Sequence, residues 1–298
     1  MGASRIRHAR LRKSSGKAQE KPRGRVADRI LPDATMEAAL TNSDEVRGAL
    51  RTEASDARAT ASRRFFKTGV GGYSEGDLFL GVTVPRQRAI AKRALALPDH
   101  AMKSLLDSPW HEERLVALVV LVQRYESGNT QEKECTARYY RAHFSAVNNW
   151  DLVDLSAWQI LGRQLRASGG PFLETLKSLA ESPRLWDRRI AMVSTFAWTK
   201  EGDAGPALTV ARTLLGDNED LMHKAVGWML REVGKRVSRD VLSAFLQETY
   251  AQLPRTTLRY AIEHFSADER RAWLTLPHLG RPVTRFSALG RSALWRPR

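Results

Sequence analysis

SPWHEERLVALVVL, residues 108–121, lies over SPRLWDRRIAMVST, residues 182–195, with Ser108/Ser182, Pro109/Pro183, Arg114/Arg188, Ala117/Ala191 and Val119/Val193 in register at an offset of 74 residues. An offset of that size is about two helix-pair repeats of the kind that stack into α-solenoids. A third segment, DLMHKAVGW from Asp220, echoes the pattern more faintly at about half the distance. In both aligned copies a Ser-Pro break precedes an apolar run with three-four spacing, which predicts an amphipathic helix covered by a neighbour. The expected fold class is all-α: a HEAT-like helical-repeat solenoid with a concave DNA-binding face.

Outward from these repeats the same periodicity recurs. TMEAALTNSDEVRGALRTEA, VPRQRAIAKRALAL, PFLETLKSLAES, EDLMHKAVGWMLREVGKRV and SRDVLSAFLQETYAQL all read as helices, separated by short Pro, Gly, Asn or Ser breaks. Strand-type alternation is almost absent. The exception to short breaks is KTGVGGYSEGDLFLGVTVP, residues 67–85, whose glycines predict a longer loop. A long loop on a rigid helical frame is a good place for ligand contact.

The charge is unevenly placed. Of the formal net +15, residues 1–35 carry +7 and residues 281–298 carry +5, leaving +3 on the body between them. Both basic ends are too poor in apolar residues to bury a core, so the organisation expected is a basic N-terminal arm at 1–35, a repeat domain at 36–280 and a basic C-terminal tail at 281–298. Such arms raise salt-sensitive affinity for phosphate backbones without reading sequence.

Several classes of chemistry find no support. The single cysteine, Cys135, leaves no internal disulfide and no thiolate cage, and reads as structural. The seven histidines show no HExxH-type spacing, and His111-Glu112-Glu113 reads as a solvated helix start, so no metal is expected. No Gly-rich loop carries a phosphate-binding lysine ahead of a helix, so nucleotide hydrolysis and a cofactor are not expected. With neither a long apolar run nor a secretory leader, the expected location is the cytoplasm, with nucleoid association on DNA.

VNNWDLVDLSAWQILG, residues 147–162, raises the sharpest chemical question. Asn148 and Asn149 are good N-cap residues, and the helix dipole accounts for Asp151. Asp154 lies four residues after Trp150, so indole and carboxylate share a face. Val153, Ala157, Ile160, Leu161 and Leu165 form the apolar stripe, which leaves Asp154 at its edge. The bland account is an ion pair with an arginine of a neighbouring repeat. Trp186 and Trp198 fall within apolar patterns and are expected in the core.

WDLVD is accompanied by LWDRRIA at 185–191 and KAVGWMLRE at 224–232. Together these motifs resemble the DNA alkylation repair family of AlkD-type DNA glycosylases, across roughly residues 45–265 and including YSEGD, FLGVTVP and TTLRYAIE. The resemblance implies catalytic roles for Trp150, Asp154 and Trp228. It implies DNA contacts at Arg189, with Arg188, Lys224 and Arg231 beside the motif positions, and at Phe65, where some members have a tyrosine whose hydroxyl is lost here.

The residue types suit that chemistry. A purine alkylated at N3 or N7 is already cationic and can leave without a general acid, while positive charge develops on the deoxyribose. A fixed carboxylate would stabilise that charge, and tryptophan faces would attract the cationic nucleotide. The resemblance thus implies a monomeric glycosylase acting on duplex DNA containing alkylated bases, leaving an abasic site and working without a deep base pocket. No lyase lysine is evident. The alternatives are a non-catalytic DNA-binding repeat protein, which loss of Asp154 and Trp228 would have favoured, and a protein–protein scaffold.

Overall fold

The computed structural model describes residues 38–276. The expected arm and tail lie outside the described residues. Within them the chain is a succession of helices: α1 (Ser43–Thr52), α2 (Asp56–Phe65), α3 (Val84–Arg93), α4 (Asp99–Leu106), α5 (His111–Ser127), α6 (Thr130–Ala142), α7 (Trp150–Ser156), α8 (Arg163–Ser168), α9 (Phe172–Ala180), α10 (Leu185–Ser194), α11 (Phe196–Thr199), α12 (Gly205–Thr213), α13 (Asp220–Arg236), α14 (Arg239–Thr249), α15 (Arg255–Ala261) and α16 (Ala267–Thr275). No strand occurs among the described residues, and no helix there is long and apolar enough to cross a membrane.

The helices form two layers. In one, α5, α7, α10, α13 and α15 lie side by side, each against the next; behind them α4 and α6 pack on α5, α9 on α10, and α12 and α14 on α13. The front-row helices start at His111, Trp150, Leu185, Asp220 and Arg255, in steps of 39, 35, 35 and 35 residues. The 74-residue offset therefore spans two structural repeats, and α7 is the copy that the sequence comparison skipped. This is the HEAT-like helical-repeat architecture. Its core is continuous, with Val116, Val120, Leu152, Val153, Ile190, Met192, Met229 and Leu230 buried between layers. Each such side chain contributes about 1.5–3 kcal/mol by leaving water. Trp186 and Trp198 are buried as expected, whereas Cys135 lies exposed on α6.

The sequence repeat has a physical cause. In one copy the Ser108 hydroxyl accepts the Trp110 N–H (3.1 Å) and Arg114 Nη1 donates to the Ser108 carbonyl (2.7 Å). In the other, Ser182 accepts the Arg184 N–H (3.2 Å) and Arg188 Nη1 donates to the Ser182 carbonyl (3.1 Å). Each arginine then meets a carboxylate from another segment, Asp77 for Arg114 and Asp217 for Arg188, both at 2.7 Å. Serine turns the chain into the helix, and the arginine one turn and a half later ties that turn down.

Two local features shape the front row. Between α7 and α8 the helix widens to π form over Trp158–Gly162, which the periodicity did not foretell. At Gly227 in α13 an added Cβ would sit 2.5 Å from the Tyr260 Cβ and 2.7 Å from the Thr257 carbonyl, so only glycine lets α13 and α15 meet this closely. Gly227→Ala is expected to lose about 1–3 kcal/mol to overpacking. Urea unfolding should show a lower midpoint with an unchanged slope, and a midpoint equal to the parent's would refute the close approach.

Candidate functional site

Asn148, Asn149 and Trp150 each hold a different part of the 67–83 loop. Asn149, fully buried, caps α7 and donates from Nδ2 to the Ser74 hydroxyl (2.5 Å); Asn148 donates to Asp77 (3.4 Å). The Trp150 indole N–H donates to the Tyr73 hydroxyl (3.3 Å), which in turn donates to the Phe65 carbonyl (3.2 Å). The loop leaves α2 through Lys67, a left-handed residue at φ 53°, which brings its ammonium to 5.9 Å from the Tyr73 ring.

The expected solvated start of α5 is a correction, because all three of its polar residues are buried. Glu112 accepts the backbone N–H groups of Leu80 (3.0 Å) and Gly81 (2.8 Å), fastening the far end of the same loop. Glu113 accepts from Arg47 Nε at 2.9 Å. His111 lies between Asp151 (2.8 Å) and Asp77 (3.6 Å). Burial opposes its charge, but the hydrogen bonds to the two aspartates prevail and hold the imidazole above its ordinary value. Asp151, assigned from sequence to the helix dipole, is therefore also an anchor for α5. His111 stacks on Phe79 (4.8 Å), Phe79 on Phe66 (5.0 Å) and Phe66 on Trp150 (5.6 Å), so the Trp150 ring is backed by a column of aromatic side chains.

In front of Trp150 opens a cleft of about 760 Å³. Its walls include Phe65, Lys67 and Tyr73 from α2 and the loop, Trp150 and Asp154 from α7, Arg189 from α10, Lys224, Trp228 and Arg231 from α13, and Tyr260 from α15. Trp150 and Asp154 are one helical turn apart, and Lys224, Trp228 and Arg231 follow three-four spacing, so each set projects from one face of its helix. Phe65 is 64% exposed and meets Trp150 edge-on at 6.0 Å, leaving its own outer face to the cleft.

Asp154 is held in a fork. Arg189 donates Nε to Oδ1 (3.0 Å) and Nη2 to Oδ2 (2.9 Å), and its Nη1 donates to the Leu221 carbonyl (2.6 Å) at the start of α13. Arg189 is 5% exposed and the Asp154 side chain 20%, so of the two groups bordering the cleft the guanidinium is the more enclosed. Burial pushes the Asp154 carboxyl above its ordinary value, Arg189 opposes the shift, and the nearby Asp151 adds to it. The ion pair considered from sequence is thus present, and Arg189, expected to grip a phosphate, has both faces of its fork occupied within the protein.

The other expected contacts divide. Lys224 pairs with Asp220 at 2.7 Å, which raises the ammonium and lowers the carboxyl from their ordinary values. Arg231 bonds to Glu263 and to Glu232 (3.3 Å) and still borders the cleft. Arg188 is not brought there: its guanidinium serves Asp217 and the Ser182 and Pro183 carbonyls. Its equivalence to Arg114 in the repeat was the signal that it belongs to the frame. Tyr73, Lys67 and Tyr260 border the cleft and were not singled out from sequence. Among the described residues no group of three or more His, Cys, Asp or Glu side chains could hold a metal ion.

Three comparisons bear on this arrangement. A family model described as DNA alkylation repair enzyme matches residues 46–265. The fold is similar to a solved structure of a predicted DNA alkylation repair enzyme from Enterococcus faecalis, with a TM-score of 0.56 and 16% identity, covering 72% of this chain and 98% of that one. Among curated proteins no relative matches.

Proposed function

The chain belongs to the family of DNA alkylation repair enzymes, matched over residues 46–265, and from that membership we propose that it is a DNA glycosylase that hydrolyses the N-glycosidic bond of cationic N3- or N7-alkylpurines in duplex DNA. One observation carries this reading: Trp150, Asp154 and Trp228 line a single open cleft, with the carboxylate one helical turn from the first indole on α7 and the second indole on α13. The cleft face would receive the duplex, with Lys67, Lys224 and Arg231 near the phosphates and Phe65 at the rim.

The geometry suits a base that leaves as a neutral molecule. As the glycosidic bond breaks, positive charge grows on the sugar, and Asp154 would face it from a site where charge interactions are stronger than in water. Arg189 would fix the carboxylate before the reaction begins, so that little reorganisation accompanies bond cleavage. A carboxylate has about four lone-pair directions, and Arg189 occupies two. The remaining capacity can accept a hydrogen bond from the attacking water. Trp150 and Trp228 would offer electron-rich faces to the cationic nucleotide, each contact being worth about 0.5–2 kcal/mol. The reaction needs no cofactor and leaves an abasic site.

The non-catalytic DNA-binding reading draws on the completeness of the Asp154–Arg189 pair, which could serve the fold alone. Release of 7-methylguanine from methylated duplex DNA separates the two. The expected result is release whose rate falls on acidification, with the limb above the ordinary aspartate range, because the carboxylate form is required and burial makes it harder to maintain. Binding of methylated DNA without release of 7-methylguanine or of a bulkier cationic adduct would instead establish the non-catalytic reading.

A further inference from the structure

Trp158 stands eight residues after the start of α7, as Trp228 stands eight residues after the start of α13. Between them lies Phe196, in edge contact with Trp158 at 5.3 Å and 6.4 Å from Trp228. All three rings are half-buried, so a strip of aromatic surface leads away from the cleft, beginning at the Trp228 wall. The π segment starts at Trp158. Such insertions re-aim the side chains that follow an otherwise regular helix.

The strip carries two cations. Lys200 Nζ sits 4.5 Å from the centroid of Trp158, and the Arg236 guanidinium 5.1 Å from that of Phe196. Both residues are exposed. Arg236 gives only Nε to Glu232 (2.7 Å), leaving its two outer nitrogens free for another acceptor. Lys200 makes no ion pair among the described residues, and the nearby Glu201 faces Arg166 (3.5 Å). An exposed lysine or arginine ordinarily loses rotamer freedom when it is fixed on a phosphate. A ring beneath the charge has already restricted that freedom, and a ring, unlike the Glu232 carboxylate that also holds Arg236, does so without neutralising the charge.

We propose that Lys200 and Arg236, seated on Trp158 and Phe196, form a second phosphate-binding site that holds the backbone of duplex DNA beyond the cleft. Because the cations cover the ring faces, the strip presents charge rather than a stacking platform. Its fit is to backbone phosphates, not to the unstacked bases of a single strand. The ligand follows from membership in a DNA repair family, and the site does not depend on the glycosylase reaction.

The test is equilibrium binding of the full chain to undamaged duplex DNA over a series of salt concentrations, which reads the site whether or not bases are released. Combined Lys200→Ala and Arg236→Ala is expected to weaken binding about tenfold and to reduce the slope of log K against log salt by about two. Trp158→Leu retains both charges but removes one seat; it should weaken binding about threefold with an unchanged slope. Lys177→Ala, on α9 in the other layer, should change the slope by less. A double variant whose slope equals the parent's would overturn the site. Full affinity in Trp158→Leu would overturn the seating. If 7-methylguanine is not released while the double variant loses slope, the glycosylase reading fails and this site stands.

Discussion

Asp154→Asn is expected to reduce release of 7-methylguanine by about 10²–10³-fold, the range seen when one preorganised electrostatic group is removed from an active site. Asparagine keeps the shape and one accepting oxygen but not the charge that opposes the developing sugar cation. The loss should fall on kcat, since the carboxylate acts on a charge that is absent in the ground state of the sugar. Affinity for undamaged duplex should stay the same or rise, because a negative group next to the backbone has gone. The assay is single-turnover release beside a binding titration at the same salt, at a temperature where both proteins are folded. A variant that releases base within threefold of the parent would remove Asp154 from the chemistry. The pH profile adds an independent reading: the acid limb assigned to the carboxyl should vanish in the variant.

The helical frame was legible because burial imposes periodicity on sequence. On α13 the buried positions follow three-four spacing, while α5 is enclosed on nearly every side along its apolar run, and the SP-x₄-R pattern marks where a serine turn and its arginine tie recur. By helical spacing the cleft was legible only on α7 and α13, where Trp150, Asp154, Lys224, Trp228 and Arg231 are neighbours; Phe65 and Arg189, which also line it, were named only through the family resemblance. Tyr73 and Lys67 reach it from a loop whose course is set by distant partners, Ser74 by Asn149 and Leu80 by Glu112. No local periodicity encodes such contacts.

The same limit explains the misreadings. His111, Glu112 and Glu113 look like a polar helix start because nothing in their own segment shows that the 67–83 loop, α1 and α7 converge on them. Arg188 and Arg189 are adjacent in sequence but point to different tasks, since neighbours on a helix diverge by about 100°. One ties its own turn and Asp217; the other reaches back to Asp154. The π segment at Trp158 left no sign in the periodicity because it inserts within a stripe that resumes at Ile160 and Leu161.

Arg189→Met should be the most destabilising single change at the site. It leaves a carboxylate in a largely enclosed position without its cation and removes the side-chain donor to the Leu221 carbonyl, a loss of about 3–5 kcal/mol. Methionine preserves much of the volume, so a cavity does not account for the loss. The accompanying change in pH dependence identifies the cause. With Arg189 gone, the one influence lowering the Asp154 carboxyl disappears, and its folded-state pKa moves further above the unfolded value. Between those two values the native state binds more protons than the unfolded chain, so the variant loses stability as pH rises through that window and recovers it on acidification. Combining Arg189→Met with Asp154→Leu should restore a large part of the stability, because replacing both charges removes the stranded carboxylate. Denaturant melts of the four proteins at neutral and acidic pH complete the cycle. A double variant no more stable than Arg189→Met alone would mean that the guanidinium supports the junction of α10 and α13 through Leu221, and that its hold on Asp154 contributes little.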